Sequence, residues 1–160
     1  MLLKYTTCSR KMASKFGSMA GGIDALLGKQ TRPHKDLDIA VNHKDESKLR
    51  SVLTSLGYNN KKKQENTTDW NFVLSNKDGK EIDVHVFAFD ADGKNVYGIA
   101  YPKESLTGRG IINNQSVNCI APERVVKFHE SFKPSKKHIK DIKALCKKFN
   151  LELPENYKNL

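Results

Sequence analysis

The sequence predicts an α+β fold: a mixed or antiparallel sheet flanked by helices, with further helices towards the C-terminus. Three observations carry that expectation. Apolar and polar residues alternate through "DLDIAV" and "EIDVHVFAF", the period of a strand with one buried face. An Asp-Gly turn, "KDGK", joins "EIDVHVFAF" to the β-prone run "WNFVLSN" before it. After Cys119 the apolar spacing changes to three and four, the period of an amphipathic helix.

Each element has a local reason. Ser9 to Phe16 carries a weak helical pattern, and Ser18-Met19-Ala20 reads as a short strand before the pair Gly21-Gly22. "IDALLGK" is a helix that stops near Gly28, where glycine accepts the left-handed conformation of a C-terminal cap. "QTRPH" is non-helical, because Pro33 drives Arg32 out of the helical region. Leu37 to Val41 is a strand. In "KDESKLRSVLTSLGY", Leu49, Val52, Leu53 and Leu56 share one helical face and Gly57 closes the helix. After the "KDGK" hairpin, a second turn, "ADGK", leads into "NVYGIAY". "IINNQSVNCI" is a further hairpin with Asn113-Asn114 at its tip.

Pro122 suits the first position of a helix through "APERVVKFHESF", where its missing N–H is not needed. Ser135 stands where a cap is wanted for a last helix, whose Ile139, Ile142, Leu145 and Phe149 form one apolar face. Trp70 and Phe72 are expected in the core. No repeat or low-complexity linker interrupts this order, so residues 1–160 are expected to form one domain, with a helical part at about 121–150.

Hydrophobic residues make up 38% and charged residues 29%, a globular rather than a disordered balance. No apolar run approaches the ~20 residues of a membrane span. "MLLKYTTCSRK" lacks a signal-peptide core, so a cytoplasmic protein with no membrane partner is expected. Cys8, Cys119 and Cys146 are widely spaced without a CxxC pair and are expected to be reduced, structural thiols. The net charge of +10 favours anionic partners such as nucleotide or nucleic acid. No basic motif interleaved with aromatics supports nucleic acid, so most of the excess is read as solvated lysines.

The candidate chemistry lies on the polar faces of two strands. Asp36 and Asp38 project from the same face of "DLDIAV", about 7 Å apart at a rise of ~3.3 Å per residue. "EIDVHVF" repeats the peculiarity, with Asp83 between core residues Ile82 and Val84. Were the two strands neighbours, ~4.8 Å apart, the three carboxylates would converge. Three such groups repel one another and suit a hard divalent cation that takes oxygen ligands. With Mg²⁺ the natural chemistry is phosphoryl or nucleotidyl transfer.

A glycine pair, a spacer, Asp-x-Asp and a later strand Asp resemble the nucleotidyltransferase superfamily typified by DNA polymerase beta. "IDALLGKQTRPHKDLDIAV", "EIDVHVF" and "CIAPERVVKFHESFKPSKKHIKDIKAL" resemble, in order, blocks of the small aminoglycoside and lincosamide nucleotidyltransferases, over roughly Met19 to Leu145. The resemblance implies that Asp36 and Asp38 hold two Mg²⁺ ions, and that Asp83 completes the metal site or acts as general base. It implies that Gly21 and Gly22 approach the triphosphate of an NTP co-substrate, ATP foremost, and that Arg32 and His34 orient phosphates or the metal carboxylates. Read from the residues alone, Arg32 equally forms a surface salt bridge, and His34 orients Asp36 through a hydrogen bond.

His85, and His129 and His138 in the helical block, are read as structural or pocket-lining, and Asp141 as a buried acceptor between helices. The chain departs from the family pattern at "AGGIDALLG", two residues shorter between the glycine pair and Asp24. The implied reaction transfers a nucleoside monophosphate to a small-molecule hydroxyl, of a lincosamide or an aminoglycoside, and releases pyrophosphate; a homodimer is compatible with it. Two alternatives fit the same residues: an inactive relative that binds nucleotide or nucleic acid, and the same chemistry on RNA or protein.

Overall fold

The structure, a computed structural model, describes residues 22–34, 36–61, 68–112, 114–131 and 133–160. The expected helix at Ser9–Phe16, the strand at Ser18–Ala20, and Gly21, Cys8 and Asn113 lie outside the described residues.

The first described element is α1 (Gly22–Leu27), followed by β1 (Asp36–Asn42), a 3-10 turn (His43–Asp45) and α2 (Glu46–Ser55). Next come β2 (Asn59–Asn60), β3 (Asn71–Ser75), β4 (Glu81–Phe89) and β5 (Asn95–Gly98). A 3-10 turn (Lys103–Leu106) leads into β6 (Gly108–Ile112) and β7 (Gln115–Cys119). The chain ends in α3 (Pro122–His129), α4 (Lys136–Phe149) and α5 (Glu155–Lys158). The short β2 and α5 carry no periodic signal and were not expected.

Strands β1 to β5 form one mixed sheet in the order β1-β4-β3-β2, with β5 also on β4. Within this sheet, among the described residues, β1 and β4 pair in parallel and the other pairs are antiparallel. β3 pairs with Glu81 to His85 of β4, and β5 takes over at Phe87 to Phe89. Both predicted Asp-Gly turns close through a side chain. Asn76 Oδ1 accepts from the N–H groups of Asp78 and Lys80, each at 3.0 Å. Asp90 Oδ1 accepts from those of Asp92 at 3.1 Å and Lys94 at 2.9 Å. Short polar side chains at the start of a turn do this because they reach their own backbone two residues on.

One core lies between the sheet and α2, where Ile39, Val41, Ile82, Val84 and Val86 meet Leu49, Leu53 and Tyr58. Trp70 and Phe72 pack at its edge, and the Arg50 guanidinium lies 3.3 Å from the centre of the Phe72 ring. A second core joins α1, β7, α4 and α5 through Leu26, Val117, Ile142, Leu145 and Tyr157, and Ile112 packs against both. Lys148 ties α4 to α1 by donating to the carbonyls of Leu26 at 2.8 Å and Leu27 at 3.1 Å, two of the acceptors a helix end leaves open. Cys119 and Cys146 are free and buried in this second core. Ser135 holds the N-cap position of α4, but its hydroxyl makes no capping bond and is buried without a partner.

The β6–β7 ribbon reaches α1 through bare backbone. A Cβ at Gly110 would stand 2.6 Å from the Ala25 carbonyl carbon and 2.8 Å from Cys119 Sγ. Backbone cannot yield as a side-chain tip does, so Gly110→Ala is expected to cost about 1–3 kcal/mol. Urea denaturation followed by circular dichroism checks this; an unchanged midpoint would show that α1 and the ribbon are not in contact.

Candidate active site

Strand pairing brings the predicted carboxylates together. In the parallel β1–β4 register Asp38 stands opposite Asp83, and Asp36 opposite Glu81. Ile39, Val41, Ile82 and Val84 point into the core, so the intervening Asp36, Asp38, Asp83 and His85 share the other face. That face is closed at one end, where Ala40 and Phe87 are buried, and open at Asp36; Asp38 stays exposed as a residue, while the groups around its carboxyl take away much of that group's water. Ligand atoms of Asp38, Asp83 and His85 all lie within 4.8 Å of one another. Asp36 is one strand repeat away, beside that group rather than within it.

The crowding has an electrostatic signature. The Asp38 carboxyl is pushed up from 3.8 to about 6 by burial first, then by the charges of Asp36 and Asp83, with His34 opposing. His85 is held below its ordinary value by burial, against the pull of Asp83, which leaves its imidazole neutral at pH 7. Asn71 on β3 orients both partners. Its Nδ2 donates to Asp83 Oδ1 at 2.8 Å and lies 3.2 Å from His85 Nδ1. An Nδ1 that accepts from Asn71 keeps the ring proton on Nε2, which faces Asp83 Oδ1 at 3.7 Å. His85 thereby steadies Asp83, in line with a structural role.

Tyr101 also belongs here. Burial, then Asp38 and Asp83, push its phenol up to about 12, and its ring lies 5.9 Å from that of Phe128 on α3. Nothing in "NVYGIAY" distinguishes this tyrosine, since only the tertiary fold brings it beside carboxylates from two strands.

The loop between α1 and β1 is organised by two other acids. Asp24 Oδ1 accepts from the Thr31 N–H at 3.0 Å and from its hydroxyl at 2.6 Å. His34 Nε2 lies 2.8 Å from Asp24 Oδ2. His34 was expected to orient Asp36; it sits instead on Asp24, because the loop folds back on the helix that precedes it. Arg32 Nε donates to Asp141 Oδ2 at 3.3 Å, and Asp141 is 4% exposed. Asp141 is the buried acceptor expected, but it serves this loop rather than a second helix, and the Arg32 salt bridge is half buried. Gly22 opens α1 with a φ of +112°, a conformation that favours glycine.

Carboxylates converging on an open sheet face, with one imidazole behind them, make an oxygen-rich donor set that is chemically suited to Mg²⁺. Donor sets of this kind are where enzymes that handle phosphates hold a hard cation. The chain belongs to the aminoglycoside-2''-adenylyltransferase family, whose sequence model matches residues 14–145. It is a nucleotidyltransferase of the adenylyl-transferring type.

Solved structures share the fold. The lincomycin-bound lincosamide antibiotic adenylyltransferase LnuA is 19% identical with a TM-score of 0.72, over 91% of this chain and 96% of that one. The solution structure of the antibiotic-resistance factor ANT(2'')-Ia is 22% identical with a TM-score of 0.70, over 93% and 86%. ANT(2'')-Ia in complex with adenylyl-2''-tobramycin is 19% identical with a TM-score of 0.66, over 92% and 86%. No curated protein sequence is similar enough to this chain to count as a match.

The raised Asp38 value fixes a sign. Between pH 3.8 and about 6 the folded protein holds a proton that the unfolded chain has lost, so stability falls as pH rises through that window. Asp38→Asn is therefore expected to stabilise the metal-free protein at pH 7, by on the order of 1 kcal/mol after solvent screening of a partly exposed group. The gain disappears below pH 3.8, where the aspartic acid is neutral in both states. Thermal melts of both proteins across pH, in chelator, check this.

Proposed function

We propose that the protein transfers AMP from ATP to a hydroxyl of a lincosamide-type antibiotic and releases pyrophosphate. The observation that carries this reading is the register that sets Asp38 against Asp83 on an open sheet face. Asp36, Asp38 and Asp83 are the residues to hold Mg²⁺, two ions by the family pattern. When bound, the metal neutralises these carboxylates and stabilises charge on the phosphate oxygens.

The remaining roles fall to the chain's own groups. Asn71 occupies Asp83 Oδ1, so Oδ2 is the atom placed to take the proton of the attacking hydroxyl. His85, neutral, carries no charge that would compete for Asp83. Tyr101 stays protonated and offers the acceptor a phenolic hydrogen bond beside the carboxylates. By the family pattern Gly21 and Gly22 are the residues to approach the triphosphate, with Arg32 and His34 on the loop after α1.

Net charge favours the lincosamide. A polycationic aminoglycoside meets a chain of charge +10, whereas a lincosamide carries little charge of its own. On this reading residues 1–160 act as a single cytoplasmic domain; among the described residues no helix is long and apolar enough to cross a membrane.

The test supplies labelled ATP, GTP, CTP and UTP with lincosamide and aminoglycoside panels, with and without Mg²⁺. Transfer from ATP to a lincosamide only with metal is expected, and Asp83→Asn should lower kcat by about 10²–10⁴-fold. Transfer to aminoglycosides alone would overturn the acceptor. ATP binding that is metal-independent and unchanged in Asp38→Asn would overturn the reaction and leave a nucleotide-binding relative.

A further inference from the structure

Positive charge is concentrated on α4, whose 14 residues hold six lysines and a single carboxylate, Asp141. Lys136, Lys140, Lys143 and Lys147 recur at intervals of four, three and four residues, so they form one row along the helix. All four are exposed, while Asp141, Ile142, Leu145 and Cys146 fill the buried side. At 1.5 Å per residue the row is about 16 Å long.

Such a row is unfavourable by itself, because like charges four residues apart on a helix repel. Lys136 and Lys137 also stand in the first turn, which holds no acidic residue and where the helix dipole disfavours a cation. Among the described residues no Asp or Glu side chain pairs with any of the four. Asp141 turns to Arg32, and Glu152 and Glu155 are taken by Lys158. Lys143 donates to the Leu160 carbonyl. Solubility is served by mixed signs and does not need one sign drawn out in a line.

Charge complementarity names the partner. A straight row of lysine point charges matches a row of phosphates, and about 16 Å spans about five phosphates of one duplex strand at ~3.4 Å each. The apolar face of α4 is spent in the second core, so nothing remains to enter a lipid surface. The row contains no aromatic side chain on which an unpaired base could stack. Readers of duplex RNA bridge two successive minor grooves over ~16 base pairs, farther than this row reaches.

We propose that the outer face of α4 docks on the backbone of duplex DNA, without reading its sequence, through Lys136, Lys140, Lys143 and Lys147. The row uses none of the residues assigned to adenylyl transfer and stands or falls without that reading. Neutralising four phosphates makes log Kd rise with log[KCl] at a slope of about 3.6.

Fluorescence anisotropy with a labelled DNA duplex, from about 50 to about 200 mM KCl, tests this. Lys136→Gln/Lys140→Gln/Lys147→Gln is expected to bind at least about ten-fold more weakly at the lower salt, with the slope reduced to about 1. Lys136→Arg/Lys140→Arg/Lys147→Arg keeps the charge and should bind as the wild type does. Lys44→Gln/Lys77→Gln/Lys94→Gln removes the same charge from exposed lysines elsewhere and should keep the wild-type slope. Adenylyl transfer by the first variant should equal the wild-type rate.

A wild type that leaves the duplex unbound at the lower salt overturns the proposal. So does an equal loss in the Lys44, Lys77 and Lys94 variant, which would assign binding to net charge alone. Tighter binding of the matching RNA duplex, or retention on phosphatidylserine vesicles without DNA binding, would overturn the choice of partner. A transfer rate that falls with the row would make it part of the reaction and overturn its separate role.

Discussion

The parallel pairing of β1 with β4 is the constraint on which the site depends. Side chains alternate with a period of two, so a slip of one residue would turn Asp83 into the core and Val84 out of it. The register is held from the other side of the sheet, where the Ile39–Val84 and Val41–Val86 pairs are buried with Leu49 and Leu53 of α2. Hydrophobic contacts that carry no chemistry thus force Asp38 and Asp83 into opposition. The Asp38 carboxyl, weakened as an acid by burial and by the charges of Asp36 and Asp83, would move away from both if the backbone allowed it. It stays because parting the strands would expose a packed core.

Much of this was legible in the sequence, for identifiable reasons. The alternations around Asp38 and Asp83 give strand, face and core partner at once, because a period of two specifies all three. "KDGK" and "ADGK" revealed turns because side chain-to-backbone bonds are local. The partners of the α1–β1 loop were less legible. His34 was placed on Asp36 by nearness in sequence, yet the loop doubles back to Asp24. Tyr101 was invisible, since its meaning comes from carboxylates 63 and 18 residues earlier in the chain. Ser135 occupies the right position without the bond expected of it: a cap needs side-chain geometry, and sequence reports only the residue type.

The Arg32–Asp141 pair shows how the C-terminal helices position the loop that leads to the carboxylates. α1 is only six residues long and cannot hold its own conformation, since isolated helices that short are unstable in water. It is fixed instead by Leu26 in the second core, by Lys148 on its last carbonyls and by Arg32 on Asp141. All three anchors are to α4 or to residues packed with it. The loop that leads into Asp36 thus takes its position from a helix more than a hundred residues away in sequence. Loss of α4 packing would unseat that loop while leaving the β1–β4 carboxylates in register, because the first core is built without it. The loop and the carboxylate strands are thus separable in stability, and the Arg32–Asp141 pair ties the first of them to the second core.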